Sequence, residues 1–568
     1  MASIPAYPTV VVNEIDLSTT ITNGQTTSYG AIAINSAWGP AQEITLITSE
    51  PILAETFDVP NNTTYIDFFA ASNFLSYSSS LYVVRAVDGA ARNAVSGNTA
   101  IQIQNTDSYK SSGVSLTNSG AWIAKYPGIK GNSLAVAVAD GSVSLSSNVN
   151  TSNASFGTWG QYFNMAPSTS DYALALGGRN DEIHVLVFDE DGAFSGIQGT
   201  LLESFSYLSK AKGAQKENGT SNFYQDVINS SSKYIWTGDA YVLGANNTAT
   251  AASTFTNVGA SKVSLSGGVD VNASNTAMYI NAYDLFADKK TVEVSHFIGG
   301  NLPSVAIQPL ITLAEKRGDS IGYFSPRWAD VQPGQSQSVI SQNIVSFKNT
   351  VINYSSSYYF VDGNWKYQYD KYNDVNRWVP CNGDTAGLKA AAEASNDIWW
   401  NGSGYNRGIL KNVIKLAWNP QDDYMGVIYK NSVNPIISDG GVSVLVGDKT
   451  GLIKPSSFDR INVRSLFNLL KKVIASYLKY GLFQFSDEYT WVSLSSHVNT
   501  YLQSVKSRRG VQDFYVQCDS SNNNGQTQQN NEIVMSVYIK PNYSANWIIL
   551  NMVNVGGSAS FSESVGSF

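Results

Sequence analysis

The sequence predicts an α+β protein of several domains, and three observations carry that expectation. The chain has 568 residues, 43% of them hydrophobic, which is enough for three or four ordinary domains with a large core. The composition changes after about residue 93, from apolar runs to Ser-, Asn-, Thr- and Gly-rich turns between short alternating strands. Long amphipathic helix patterns are clearest in the last third.

Taken in order, Pro5 and Pro8 keep the start extended, and Thr9, Val10, Val11 and Val12 form a β-branched run before Asn13. Ser28 to Ile34 reads as a strand, Trp38-Gly39-Pro40 as a turn, Asp67 to Leu75 as a short helix and Leu81 to Val87 as a buried strand. Between Ala94 and Asn180 only four basic and three acidic residues occur, which predicts an all-β insertion. From about 181 to 350 strands and helices alternate. Ile183 to Phe188 is a strand ending in the turn Asp189-Glu190-Asp191-Gly192, and Pro303 to Arg317 is a helix. Ser456 offers an N-cap for a helix running to about Tyr480, with apolar residues Val463, Leu466, Phe467, Leu470, Ile474 and Tyr477. Opposite them, Arg460, Arg464, Lys471, Lys472 and Lys479 share one arc. A second helix starts at Ser486-Asp487-Glu488 and ends at Arg508-Arg509-Gly510, with a stripe from Trp491 to Val505. Strands follow at Val511 to Cys518, Ile533 to Ile539 and Trp547 to Val553, and then a small-residue arm runs to Phe568.

Charge narrows the function. Charged residues make up 14% of the chain, against about 25% in ordinary soluble domains. With 36 Lys+Arg, 44 Asp+Glu and net charge -8, nucleic-acid binding is disfavoured. Three His and two Cys cannot build a Cys-rich zinc module or a disulfide scaffold. No apolar run approaches the roughly 18 residues of a spanning helix, and Met1-Ala-Ser-Ile-Pro carries no signal-peptide pattern. No cofactor, metal or membrane insertion is expected. Gly447-Asp448-Lys449-Thr450 lacks a glycine-rich loop before it, so a turn is the better reading than a phosphate cradle. Asp189-Glu190-Asp191 lacks calcium-loop spacing, and His184, His296 and His497 lie far apart without obvious partners. No catalytic elbow or zinc-protease pair occurs.

Two features remain. The stretch Lys454 to Tyr480 has a net charge of +5 inside an acidic protein. It is either a solvated face or a dock for an acidic protein surface. The two terminal arms either fray or add as strands to a neighbour's sheet edge.

The chain resembles the tail sheath proteins of contractile-tailed bacteriophages over most of its length. The resemblance is carried by Val11-Val12-Asn13-Glu14-Ile15-Asp16-Leu17-Ser18, Trp38-Gly39-Pro40, Asp67-Phe68-Phe69, Lys125-Tyr126-Pro127-Gly128 and Ile183-His184-Val185. Trp365 to Asp374, Arg377-Trp378-Val379-Pro380, Phe458 to Phe467, Arg508-Arg509-Gly510-Val511 and Tyr538-Ile539-Lys540-Pro541 continue it. The resemblance implies a discontinuous inner α/β core built from both chain ends, β-rich insertions facing outward, and extended terminal arms. On this sequence the implied parts are an N-terminal arm (1–20), an inner core (21–93 plus 350–553), an outer β-rich insertion (94–180), a middle α/β insertion (181–349) and a C-terminal arm (554–568).

It further implies a structural, non-enzymatic subunit that assembles with itself as stacked hexameric rings around a tail tube protein, bounded by baseplate and tail terminator proteins. Contraction would drive the tube through the host envelope for genome delivery, and the subunit would be a virion component assembled in the host cytoplasm. Arg460, Arg464, Lys471, Lys472 and Lys479 would face the tube. Thr9, Val10, Val11, Val12 and Asn13, with Ser558, Ala559, Ser560, Phe561 and Ser562, would be donated as strands to adjacent subunits. The competing readings are a sheath of a cellular contractile injection system and a β-rich adhesin or decoration protein.

Overall fold

A computed structural model describes residues 28–111, 116–150, 155–239, 253–257, 259–270, 275–546 and 549. The chain divides into two compact units between Pro455 and Ser456.

The first unit is organised by a six-stranded sheet. Its strands are β1 (Gly30–Ile34), β2 (Thr45–Ile47), β3 (Leu81–Arg85), β4 (His296–Ile298), β5 (Ile321–Phe324) and β6 (Tyr359–Val361), in the order β6-β5-β4-β1-β3-β2. All pairings are parallel except β2 with β3. Parallel strands are covered on both faces and therefore read as unbroken apolar runs, as in Gly-Ala-Ile-Ala-Ile of β1, which is buried throughout. The parallel strands lie in the spatial order second, first, third, fourth, fifth, a doubly wound arrangement whose topological switch point falls between β1 and β4.

Helices cover the sheet. Helix α1 (Tyr65–Leu75) is apolar nearly all round and buried from Asp67 to Phe74. Helix α2 (Ser304–Arg317) ends at Gly318, whose left-handed φ of 70° lets its N–H close on the Ala314 carbonyl. Helix α3 (Asn382–Ser395) presses on α1 so closely that a Cβ at Gly383 would sit 2.1 Å from the Ala70 carbonyl oxygen.

The insertion departs from the sequence expectation. Strand Leu134–Asp140 pairs antiparallel with Glu182–Asp189 on one side and Ser261–Ser264 on the other, and Thr200–Ser209 completes a four-stranded sheet. The boundary expected at 180/181 therefore runs through one sheet. Turn-rich composition marks loops and cannot reveal which strands pair across them. Period-2 alternation buries both faces of Leu134–Asp140: Leu134, Val136 and Val138 enter one core, Ala137 and Ala139 the other. The insertion begins and ends at a neck where Arg92 and Val269 exchange backbone hydrogen bonds of 3.0 Å each way. Residues 296–324, expected in a middle insertion, return to the main sheet as β4 and β5, beside β6, which falls in the range expected for the inner core. Residues 456–546, expected in the inner core, fall in the second unit.

A buried arginine ties the insertion to the sheet. Arg85, at the end of β3, donates from Nε to the Ser36 carbonyl (2.9 Å), from Nη1 to Gly39 (3.0 Å) and from Nη2 to Pro127 (2.8 Å). Trp38 packs edge-on against Tyr126 and Phe194 at 5.4 and 4.9 Å between centroids. Two of the motifs singled out in the sequence, Trp38-Gly39-Pro40 and Lys125-Tyr126-Pro127-Gly128, thus form one joint.

The second unit contains α4 (Ile461–Leu478) and α5 (Glu488–Ser507), followed by the antiparallel pair β7 (Val511–Gln517) and β8 (Ser536–Pro541). The expected stripe of α5 is buried at Trp491, Leu494, Val498, Leu502 and Val505. Asp487 caps the helix through the Thr490 N–H at 2.9 Å. Ser456 caps a separate 3-10 turn, Ser457–Asp459, and α4 begins only at Ile461.

Candidate functional site

Buried polar groups come first, because an active site would have to be built from them. The switch point of a doubly wound sheet is the usual crevice for a ligand. Here it is filled from within by Asp67 of α1. One oxygen accepts the Asn35 N–H (2.9 Å) and the Tyr279 hydroxyl (2.9 Å), and the other accepts the Asn301 N–H (2.7 Å). Burial pushes its carboxyl up to about 6, while the three donors hold it from going further.

A second cluster joins α3 to β4. Glu393 pairs with His296 at 3.1 Å and with Lys389 at 3.1 Å, and it also accepts the Ser28 hydroxyl. Burial opposes ionisation of Glu393, but Lys389 and His296 hold it down at about 2. A third cluster pairs Lys366 with Asp384 at 2.9 Å, and the Tyr77 hydroxyl donates to the same carboxylate oxygen at 3.0 Å. Apart from His296 Nδ1 and one oxygen of Asp384, which are buried without a hydrogen-bond partner, the polar atoms named here pair with one another or with backbone, which is the geometry of tie-points between elements.

The sequence motifs weighed for chemistry behave the same way. Asp189 accepts the Ser133 hydroxyl and the Phe194 and Ser195 N–H groups, while Glu190 pairs with Lys262 at 3.0 Å. Lys449 donates to the Tyr429 carbonyl at 2.9 Å, and Asp448 accepts the Tyr429 hydroxyl at 3.0 Å. His184 accepts the Tyr207 N–H at Nδ1, donates from Nε2 to the Met165 carbonyl and stacks on Phe163. Among the described residues no cluster of three or more potential metal ligands occurs, and no helix is long and apolar enough to cross a membrane. Cys381 and Cys518 are buried free thiols.

The five basic residues expected to face a tube lie in the second unit. Lys471, Lys472 and Lys479 are exposed, the first two on α4 and the third at its C-terminal end. Arg464 is not: it is buried, with its guanidinium 4.1 Å from the Phe458 ring centroid, and Phe458 in turn packs on Phe467. The aromatic turn before α4 covers the face that helical spacing alone assigns to solvent. Arg460 is half-buried, and its Nε lies 3.4 Å from Asp459. The basic surface thus contracts to the three lysines of the C-terminal half.

The pair β7–β8 carries two tyrosines, Tyr515 and Tyr538, stacked at 6.0 Å with both side chains exposed. Lys506 of α5 reaches Asp513 of β7 at 2.8 Å and ties helix to strand. Among the described residues no third strand pairs with either outer edge. The predicted arm residues Thr9–Asn13 and Ser558–Ser562 lie outside the described residues, as does most of the strand expected at Trp547 to Val553.

Sequence reasoning passed over the connector between α4 and α5 and the start of α5. Tyr480, Leu482, Phe483, Phe485, Tyr489 and Val492 all stand in solvent, with Phe483 fully exposed. The available signal was an apolar run, Leu482-Phe483-Gln484-Phe485, sitting where a polar turn is the norm.

Residues 327–451 match the model of the phage tail sheath protein central domain, and residues 454–554 that of the phage tail sheath C-terminal domain. The chain is 30% identical to the tail sheath protein of Enterobacteria phage T4 over 656 aligned residues, covering 98% of this chain and 99% of the relative. It is 28% identical to the tail sheath protein of Salmonella phage ViI, covering 99% and 98%. In fold it is similar to a sheath tail protein from Listeria innocua (TM-score 0.51, 12% identity, covering 91% of this chain and 95% of that one). It is equally similar to one from Desulfitobacterium hafniense (TM-score 0.51, 9% identity, 90% and 94%).

Proposed function

Because the chain belongs to the tail sheath protein family of contractile-tailed phages, whose members are structural virion components and not enzymes, we propose that it is the repeating subunit of a contractile sheath. The end-to-end correspondence with curated sheath proteins carries this reading. Copies polymerise as stacked six-fold rings around a tail tube, between a baseplate and a tail terminator, after synthesis in the host cytoplasm. On triggering, subunits shift as near-rigid bodies into a shorter, wider array that drives the tube through the host envelope.

In this reading the antiparallel insertion of the first unit faces outward, away from the tube. Two observations support the contacts. Among the described residues the outer edges of the pair β7–β8 carry no third strand, so a donated strand from the arms, Thr9–Asn13 or Ser558–Ser562, would extend it. Lys471, Lys472 and Lys479 form a positive strip suited to an acidic tube. Such a contact is weak and screened by salt, as suits one that must let go on contraction.

Negative-stain microscopy of the purified protein tests the function. Tubular polymers with a regular axial repeat are expected. Dispersed monomers or amorphous aggregates under all ionic conditions would refute the sheath assignment in favour of a decoration protein or adhesin.

A further inference from the structure

The connector between α4 and α5 has the composition of an interface. Between Tyr480 and Val492 six large apolar side chains are exposed, Tyr480 by 80%, Phe485 by 86% and Tyr489 by 84%. Side chains of this size at those exposures leave roughly 600–900 Å² of mostly apolar surface open to water. The largest apolar patch on an ordinary soluble monomer is about 300–600 Å². A stable interface buries about 800 Å² per partner. The connector is therefore about the size of one side of a lasting contact.

Its shape is fixed in advance. Phe483 has a left-handed φ of 65°, a conformation that a bulky side chain avoids and that here holds the ring outward. Gly481 packs against Leu494 of α5, so the turn is seated on the helix, and Trp491 Nε1 donates to the Ser486 hydroxyl. From the other side the Gln528 side chain donates to the Ser486 carbonyl at 2.9 Å. A braced turn that presents a strained, solvent-exposed aromatic is preorganised to bind.

Charge selects the occupant. Asp487 and Glu488 border the apolar residues on the α5 side, Lys479 precedes Tyr480, and no Lys or Arg lies between Tyr480 and Val505. Asp487 and Glu488 would repel the acidic partner proposed for Lys471, Lys472 and Lys479. The chemistry also differs in kind: a contact that releases on contraction suits screened charges, whereas apolar burial of this extent suits a permanent one. We infer that the Tyr480–Val492 turn is a lasting contact between copies of this chain, separate from the releasable basic strip. This inference rests on the sheath reading.

The test is tube-free polymerisation of the full chain, followed by sedimentation and microscopy, for wild type, Phe483→Asp with Phe485→Asp, and Phe483→Gly. The glycine variant relieves the left-handed strain while removing the ring, so it stays folded even if the double variant does not. Each variant is expected to raise the concentration needed for polymers by about 30-fold, the scale of an interface hot spot. Lys216→Glu, an exposed substitution in the insertion, is expected to leave tube-free polymerisation unchanged. Apex variants that polymerise alone at the wild-type concentration would overturn the inference, and if they then failed to coat tubes the occupant would be the tube. A wild-type chain that stays monomeric would overturn the sheath reading and this inference with it.

Discussion

Replacing Arg85 should loosen the joint between sheet and insertion. The guanidinium is buried and bonds three carbonyls that lie in different directions: Ser36, Gly39 and Pro127. Burial lowers its affinity for the proton, to about 10, which leaves it charged at neutral pH. Hydrogen bonds to a charged group are worth about 1.5–3 kcal/mol each. The compact ammonium of Arg85→Lys can satisfy one or two of the three acceptors, so a loss of about 3 kcal/mol is expected. Arg85→Met removes all three donors and leaves three dry carbonyls, at about 3–5 kcal/mol. Urea unfolding of the monomer, read by tryptophan fluorescence, measures the loss. Limited proteolysis locates it, because cleavage should appear first in the stretches around Trp38 and Pro127. If Arg85→Lys unfolded within about 0.5 kcal/mol of wild type, Arg85 would not be the clasp described here. A gain in stability for Arg85→Met would refute it more sharply.

Charge reversal of Lys471 and Lys472 to Glu should impair assembly on tubes, most visibly near the wild type's salt limit, in a co-sedimentation assay. Deleting the residues after Gly556 should abolish ordered polymers and leave a folded monomer by circular dichroism. Gly383→Ala should cost about 2–3 kcal/mol in urea unfolding, since the added methyl meets the Ala70 carbonyl with no side chain there to give way. Asp67 titrates at about 6 when folded against 3.8 when unfolded, so the folded state binds the proton more tightly. Its contribution to stability therefore grows as pH falls from about 6 to about 4, by roughly 3 kcal/mol, and Asp67→Asn should lack that slope in urea midpoints taken across pH 4–7.

Local pattern was legible where local physics decides. Of the six residues Trp491, Leu494, Val498, Tyr501, Leu502 and Val505 that the spacing puts on one stripe of α5, the structure buries all but the half-buried Tyr501, and it uses the acidic cap. The buried strand β3 was legible as well. Long-range pairing was not legible. Strand Leu134–Asp140 finds its partners 43 or more residues away, past turns indistinguishable from a domain boundary. Asp67 is a similar case, since its three donors come from residues 32, 212 and 234 positions distant. Helical spacing placed Arg464 among the exposed bases, but spacing describes one helix in isolation and says nothing of the Phe458 ring laid over it. The apolar connector after α4 escaped because a turn is expected to be polar, so its departure from that rule was itself the clue.

The neck at Arg92 and Val269 has a consequence for how such a chain can change. The insertion leaves and rejoins the body through two adjacent residues that hydrogen-bond to each other, so its two ends are only one strand spacing apart. Any module whose own termini are neighbours could be grafted there without altering the register of β1 and β3. For the same reason Arg92/Val269 is the place to splice a reporter or a display domain into the full chain.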